Sequence, residues 1–223
     1  MPTSPHRAER RTDALSRERI VEAAIEILDA QGESALTFRA LAAHLATGSG
    51  ALYWHVAGKG ELMAAAADAI VSRVMADMVR HKDPRKAIRA LAAGVFDAID
   101  AHPWVGTQLA HAPWESALVQ IFEGIGGQLR ALGVPAKSQF DAACALVNYI
   151  LGVAGQNAAN AREHAPGTDR ATALGEVAER WQQLDPAAWP FMHQAAAQLP
   201  KHDDREQFLT GIGWLLDGMT AKR

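Results

Sequence analysis

Hydrophobic residues recur at helical spacing along most of the chain. In the first such segment, the apolar positions 20, 23, 24, 27 and 28 share one helical face. Ser16 precedes this face as a suitable N-cap, and Gly32 follows it as a suitable C-terminal stop. The pattern therefore predicts an amphipathic helix that begins after Ser16 and ends before Gly32.

Two shorter apolar stretches follow, each bounded by glycine. Thr37 is a second N-cap, before a helix of about two turns whose apolar stripe is Phe38, Leu41, Ala42 and Leu45. The sequence Thr-Gly-Ser-Gly at 47–50 breaks this helix, and the short segment 51–56 carries large aromatic residues. After a second break at 57–60, a long alanine-rich helix is predicted from Glu61 to about Arg80.

The rest of the chain predicts further helices, with prolines, glycines and the Asp83 and Asp203 caps at their ends. They cover about 83–102, 103–112, 113–132, 137–162, 173–184, 187–199 and 203–218, with a loop at 164–169. The pattern contains no convincing strand and no internal repeat. It therefore predicts an all-α protein.

Composition narrows the class of protein. Of the 223 residues, 49 % are hydrophobic and 21 % are charged, which is typical of a globular protein with one or two domains. Cys144 is the single cysteine, which excludes an internal disulfide and a cysteine-based zinc site. No run of 18 apolar residues and no secretory signal occur, so we expect a cytoplasmic protein with no membrane partner.

The net charge of −3 argues mildly against a nucleic-acid binder, but the charge is unevenly distributed. From Ser34 to Gly60 there is no aspartate or glutamate, whereas Arg39 and Lys59 are present. Two short helices joined by a glycine-containing turn and preceded by a longer helix are the elements of a helix-turn-helix. An acid-free second helix is what such a motif needs to approach phosphates.

The segment LTFRALAAHLATGSGALYWHVAGKGEL at 36–62 resembles the N-terminal motif of the tetracycline-repressor (TetR) family of bacterial regulators. The preceding SRERIVEAAIEILDAQGESALT is similar to the family's first helix, and DAIDAHPWVGTQLA and FLTGIGWLLDGM are similar to its C-terminal segments. The resemblance implies an N-terminal three-helix helix-turn-helix domain, joined by a connecting helix to a C-terminal helical bundle. We expect a flexible arm at 1–15, a DNA-binding domain at 16–60, and a ligand-binding and dimerisation domain at 61–223.

The resemblance also implies which residues meet double-stranded DNA. They are Thr37, Arg39, Ser49, Gly50, Ala51, Tyr53, Trp54, His55 and Lys59. Among them, Tyr53, His55 and Lys59 are expected to reach phosphates. Composition alone favours core positions for Tyr53 and Trp54, and for Trp54 that alternative stays open. The turn departs from the family pattern, with Ala46 where glycine is usual.

Residues that bind a small-molecule effector are harder to predict. The candidates are polar and aromatic side chains within apolar helices: Trp104, Gln108, His111, Trp114, Phe140, Cys144, Asn148 and Gln156. Each is also compatible with packing, and Asn148 stands out because an amide in an apolar run needs a hydrogen-bond partner. Where the tetracycline repressor has a histidine cluster, this chain has Val-Met-Ala-Asp at 74–77. We therefore expect no tetracycline site, metal or cofactor.

The last helix resembles the family's dimerisation helix, which is expected to pair with the helix at 137–162 across a homodimer interface. The expected interface residues are Gly152, Gly155, Phe208, Gly211, Trp214, Leu215 and Gly218. The predicted function is a ligand-responsive regulator, expected to be a repressor, that binds a palindromic operator as a homodimer and is released by an inducer. The alternatives are a small-molecule-binding module without DNA binding and an enzyme acting on a small apolar substrate. No recognised catalytic motif occurs, so no catalytic residues are predicted.

Overall fold

The computed structural model describes residues 15–111, 116–163 and 170–221. Within these ranges all regular secondary structure is helical, which confirms the predicted all-α class. The arm predicted at 1–15, apart from Leu15, and the loop predicted at 164–169 lie outside the described residues. The helices are α1 (Arg17–Gln31), α2 (Phe38–His44), α3 (Ser49–Leu52), α4 (Lys59–Met78), α5 (Pro84–Ala101), α6 (Pro103–His111), α7 (Ser116–Ala131), α8 (Ala136–Glu163), α9 (Arg170–Gln182), α10 (Pro190–Ala196) and α11 (Asp204–Thr220), with 3-10 turns at Glu33–Ala35 and Leu199–Lys201.

Four helix starts are capped by side chains at the positions that the sequence predicts. Ser16 Oγ accepts a hydrogen bond from the Arg19 N–H at 3.3 Å, and Thr37 Oγ1 accepts one from the Ala40 N–H at 3.1 Å. The carboxylates of Asp83 and Asp203 do the same for α5 and α11, at 2.9 Å and 2.8 Å. These bonds satisfy backbone donors that have no partner within the helix.

Several predicted elements have different bounds in the structure; the helix predicted at 173–184, for example, is Arg170–Gln182. The helix predicted from Glu61 begins at Lys59, with Gly58 as its N-cap. The segment predicted as one helix at 187–199 divides into α10 and a 3-10 turn. Pro190 occupies the first turn of α10, where a missing N–H costs nothing, and Pro200 lies in the 3-10 turn.

The N-terminal helices enclose a small core that continues into the C-terminal bundle. Ile20, Leu41 and Leu52 are fully buried, and Val56 is nearly so. The predicted core positions of Leu52 and Val56 are thereby confirmed. Helix α4 contacts α1 and also packs on α5 and α7, so a single helix belongs to both cores.

Helix α4 lies unusually close to its two neighbours in the bundle. A Cβ atom at Gly94 of α5 would be 2.6 Å from Val74 Cγ1, and one at Gly124 of α7 would be 2.6 Å from Met75 Cε. A side chain at either position would force its neighbour on α4 to move, and the flexible end of Met75 would move more easily than the branched Val74. The C-terminal half of α4 is therefore held in place by two close contacts, one on each side.

Candidate nucleic-acid interface

The turn between α2 and α3 contains a backbone conformation that favours glycine. Ala46 has a φ of 50°, in the left-handed region. The neighbouring Thr47 N–H donates to the Ala42 carbonyl at 2.9 Å, which closes the end of α2. Alanine at this position brings its Cβ close to the following carbonyl oxygen, at a cost of roughly 1–2 kcal/mol.

We expect Ala46→Gly to raise the free energy of unfolding by about 1 kcal/mol, because glycine adopts this conformation without that steric cost. Ala43→Gly is the matched control, since Ala43 is exposed in the last turn of α2. It should lower the free energy of unfolding by about 1 kcal/mol. Urea denaturation of both variants tests the sign, and destabilisation by both substitutions would contradict the assignment of the turn.

Helix α3 is a single turn whose inner side is Leu52. The turn after it presents Trp54, whose side chain is 87 % exposed. The alternative in which Trp54 closes the core is therefore excluded. Ser49 and Gly50 are also exposed, and Ala51 is partly exposed. The outer side of the recognition element thus carries one large indole beside small residues.

Tyr53 is positioned by an aromatic stack. Its ring lies on Phe38 of α2, with 4.3 Å between ring centroids and 8° between planes. Tyr53 remains 59 % exposed, so the stack orients the phenol without burying it. Because Thr37 and Arg39 flank Phe38 in the chain, the stack also brings the start of α2 beside α3. Both of these residues are exposed.

Lys59, at the first position of α4, is held by Glu33, which lies in the 3-10 turn before α2. Its Nζ donates to the Glu33 carbonyl at 2.7 Å and lies 3.8 Å from the Glu33 carboxylate. An ammonium group has three donors, so this bond leaves others for a phosphate. His55 is half-buried, and its backbone N–H donates to the Leu52 carbonyl at 2.9 Å.

Glu61 closes the junction between this surface and α4. Its carboxylate accepts the Ala57 N–H at 2.6 Å and pairs with Arg17 at 2.8 Å. The bond from the Ala57 N–H, followed by Arg17, lowers the pKa of Glu61 below its ordinary value of 4.5. The donor, Ala57, is the residue before Gly58, the N-cap of α4.

Comparison with known proteins identifies the family. A family model described as "Bacterial regulatory proteins, tetR family" matches residues 20–66. A second, described as "Tetracyclin repressor-like, C-terminal domain", matches residues 81–223, which is more than half of the chain. The chain belongs to the TetR family of bacterial regulatory proteins. The resemblance given by the helix-turn-helix motif is thereby confirmed, and the chain is a TetR-family transcriptional regulator.

Two curated relatives and two solved structures are similar to this TetR-family protein. An HTH-type transcriptional regulator of Saccharopolyspora erythraea is 30 % identical over 150 residues, and the HTH-type transcriptional repressor DrrR1 of Streptomyces coeruleorubidus is 38 % identical over 96. The first match covers 66 % of this chain and 63 % of the relative. The second covers 41 % of this chain and 34 % of the relative. The structure of SCO7222, a TetR from Streptomyces coelicolor, is 51 % identical, with a TM-score of 0.86 over 93 % of this chain and 98 % of that one. BioQ bound to its natural double-stranded DNA operator is 26 % identical, with a TM-score of 0.62 over 94 % and 100 %.

The effector candidates of this TetR-family protein do not gather around one cavity. Trp104 is buried, but its Nε1 donates to Asp29 of α1 at 2.8 Å, and His111 is exposed with Nδ1 2.8 Å from the Thr107 carbonyl. Phe140, Asn148 and Gln156 are exposed, Gln108 and Cys144 are half-buried, and Trp114 lies outside the described residues. Asn148 is exposed on the outer side of α8, so solvent can satisfy its amide.

A cleft that the sequence does not point to lies between α4 and α7. It has a volume of about 490 Å³ and is lined by Met75, Met78, Ser116, Val119, Gln120, Glu123, Gly124, Gly127 and Gln128. The two methionines come from the helix that also enters the helix-turn-helix core. Within the described ranges, no group of three or more histidine, cysteine or acidic side chains is arranged to hold a metal ion.

The predicted interface residues divide between two sides of their helices. Trp214 is 73 % exposed, and Gly152 and Gly218 are exposed as well, whereas Gly155 and Leu215 are half-buried. Phe208 and Gly211 instead lie inside the chain, since Phe208 stacks on Phe96 and Tyr149 and Gly211 packs against Tyr149. Their burial within one chain leaves them no surface for a partner.

No described helix is both long enough and apolar enough to cross a membrane.

Proposed function

We propose that this protein is a ligand-responsive repressor that binds a roughly palindromic operator as a homodimer and is released by a small-molecule inducer. The observation that carries the proposal is the outward-facing recognition element, with Trp54 and Tyr53 exposed in a stretch free of acidic residues. In this proposal residues 16–60 bind DNA, and residues 61–223 bind the effector and dimerise. The similarity to the repressor DrrR1 and to DNA-bound BioQ supports it.

The DNA contacts follow from the position of each side chain. Arg39 and Lys59 supply positive charge at the two ends of the surface, and Lys59 is already held by the Glu33 carbonyl. Tyr53, stacked on Phe38 and 59 % exposed, is available to donate its hydroxyl to a phosphate. Ser49, Gly50, Ala51 and Trp54 face the base edges. Thr37 caps α2 and His55 follows Trp54, so both lie at the edge of this surface.

The dimer uses the outer side of α8 and α11. Phe140, Cys144, Asn148 and Gly152 recur at four-residue spacing along α8, whereas Val147 and Ile150 point into the core. Apart from the Asn148 amide, this outer stripe is apolar or small, and Trp214 of α11 adds a second exposed aromatic side chain. A second copy related by a two-fold axis would cover both helices at once. It would also place two recognition elements about 34–36 Å apart, as successive major grooves require.

The effector site is the cleft between α4 and α7. A ligand seated there touches Met75 and Met78, which belong to the helix that also packs against α1. Because α4 packs closely on Gly94 and Gly124, a ligand that displaces Met75 and Met78 in this proposal shifts the helix. Movement of α4 changes the separation of the two recognition elements and releases the operator.

Capture of sheared genomic DNA by the immobilised protein tests this proposal against its alternatives. A repressor retains a small set of fragments, and their retention falls by orders of magnitude between about 50 and 200 mM salt. An enzyme or a module without DNA binding retains none at the lower salt. Capture that is independent of sequence would also count against an operator-specific regulator.

Lys59→Ala is expected to weaken binding to all DNA sequences by roughly tenfold, because it removes one charged hydrogen bond to a phosphate. The slope of log affinity against log salt should fall by about 1. Filter binding on an operator and on an unrelated duplex measures both quantities. Lys137→Ala replaces an exposed lysine in α8 and is the control; it should change neither the affinity nor the salt slope. An unaltered salt slope for Lys59→Ala would show that Lys59 does not contact DNA.

A further inference from the structure

Gly50 and Trp54 lie on the side of the recognition element that faces away from the protein core. Successive helical residues are rotated by about 100°, so these two residues lie about 160° to either side of Leu52. Leu52 is fully buried, and helical geometry continues through Tyr53, with φ −66° and ψ −15°. Gly50 and Trp54 therefore project most directly away from the protein. In a helix-turn-helix this is the side that enters the major groove.

The surface that Gly50 and Trp54 form is apolar. Trp54 offers an indole face, and its 87 % exposure leaves that face unoccupied by the protein. Neighbouring Ser49, Gly50 and Ala51 carry no guanidinium or amide group, which are the groups that bind guanine or adenine through two hydrogen bonds. The thymine 5-methyl group is the apolar feature that the major groove presents. The apolar surface formed by Gly50 and Trp54 therefore matches thymine better than the other bases.

Gly50 has no structural requirement within the isolated chain. A Cβ atom there would meet no atom within 4 Å, and its φ lies outside the left-handed region. Alanine would favour the helix by about 1 kcal/mol at such a position. Trp54 follows Gly50 by about one helical turn, yet no Trp54 side-chain atom lies within 4 Å of where a Gly50 Cβ would be. The absence of a side chain leaves space for a base edge to reach the indole.

We infer that Trp54, with the space left by Gly50, reads the 5-methyl group of a thymine in each operator half-site. This inference rests on the proposed function, because it specifies which base the same DNA surface selects. Burial of one methyl group against an apolar surface corresponds to about fourfold in affinity. The operator is accordingly expected to hold an A·T pair under Trp54 in both half-sites.

The experiment begins with selection of binding sites from random-sequence duplexes by the full-length protein. Each half-site thymine of the selected operator is then replaced in turn by deoxyuridine, which removes only the methyl group. Affinities are measured for the wild type, for Trp54→Ala and for Trp189→Ala. Trp189 is an exposed tryptophan at the start of α10, outside the helix-turn-helix, and serves as the matched control.

One thymine per half-site should show a loss of about fourfold with the wild type and with Trp189→Ala. Trp54→Ala should weaken binding to the thymine operator by roughly tenfold and should be insensitive to the same deoxyuridine. If no deoxyuridine in the selected operator lowers the affinity of the wild type, the inference is wrong, but the proposed repressor function is unaffected. An unchanged deoxyuridine effect in Trp54→Ala would also overturn the inference. Failure to select any sequence would instead remove the proposed function itself.

Discussion

Replacement of Trp214 by aspartate is expected to convert the dimer into a monomer and to abolish operator binding at concentrations where the wild type is saturated. Trp214 is 73 % exposed on α11, so the substitution disturbs no contact within the chain core. In the proposed dimer the indole is buried, and the aspartate would place a charge in an apolar contact near its symmetry copy. Loss of such an anchor costs roughly 3 kcal/mol, which is more than a hundredfold in the dissociation constant.

Phe191→Asp is the matched control for this prediction. Phe191 is equally exposed, at 74 %, but it lies on α10, outside the outer sides of α8 and α11. Sedimentation velocity over a range of concentrations should show a dimer for the wild type and for Phe191→Asp, and a monomer for Trp214→Asp. A dimer that survives Trp214→Asp would show that the interface lies elsewhere.

Gly211→Ala is expected to lower the free energy of unfolding by about 3 kcal/mol, at the upper end of the usual cost of overpacking. An added Cβ would overlap the Tyr149 hydroxyl and lie 2.5 Å from Cζ. Tyr149 cannot move aside easily, because its ring stacks on Phe208 and its hydroxyl donates to the Phe208 carbonyl at 3.3 Å. Burial of this side chain also raises the pKa of Tyr149 above its ordinary value.

Gly213→Ala, two residues along the same helix, is the control for this effect. A Cβ at Gly213 would meet only the end of the Arg89 side chain, at 3.4 Å, which is an ordinary contact. Thermal denaturation should show a midpoint roughly 6–12 °C lower for Gly211→Ala and little change for Gly213→Ala. If Gly211→Ala were as stable as the wild type but monomeric, Gly211 would belong to the dimer interface and not to the core.

The elements of the fold were largely predictable because local rules decide them. Ser16, Thr37 and Asp83 cap their helices through their own side chains, and Leu52 and Val56 are buried where the apolar spacing places them. The helix-turn-helix was predictable for the same reason. Its segment combines a capped short helix, a glycine-rich turn and a lack of acidic residues within 27 positions, from Ser34 to Gly60.

The C-terminal sites were less predictable because they depend on which side of a long helix meets a neighbour. Phe208 and Trp214 are both aromatic residues of α11, yet one is fully buried and the other is largely exposed. Asn148 interrupts an apolar run, but it lies on the outer side of α8. The α4–α7 cleft is lined by methionines, glycines and glutamines that are distant in sequence, and no local pattern brings them together.

Footprinting of the selected operator tests the central claim most directly. The account predicts two protected half-sites in inverted orientation, with centres about one helical turn or a whole number of turns apart, because a two-fold dimer presents two equivalent recognition elements. Both half-sites should lose protection together when the dimer is broken by Trp214→Asp. A single protected site, or two sites in direct repeat, would contradict a two-fold symmetric repressor.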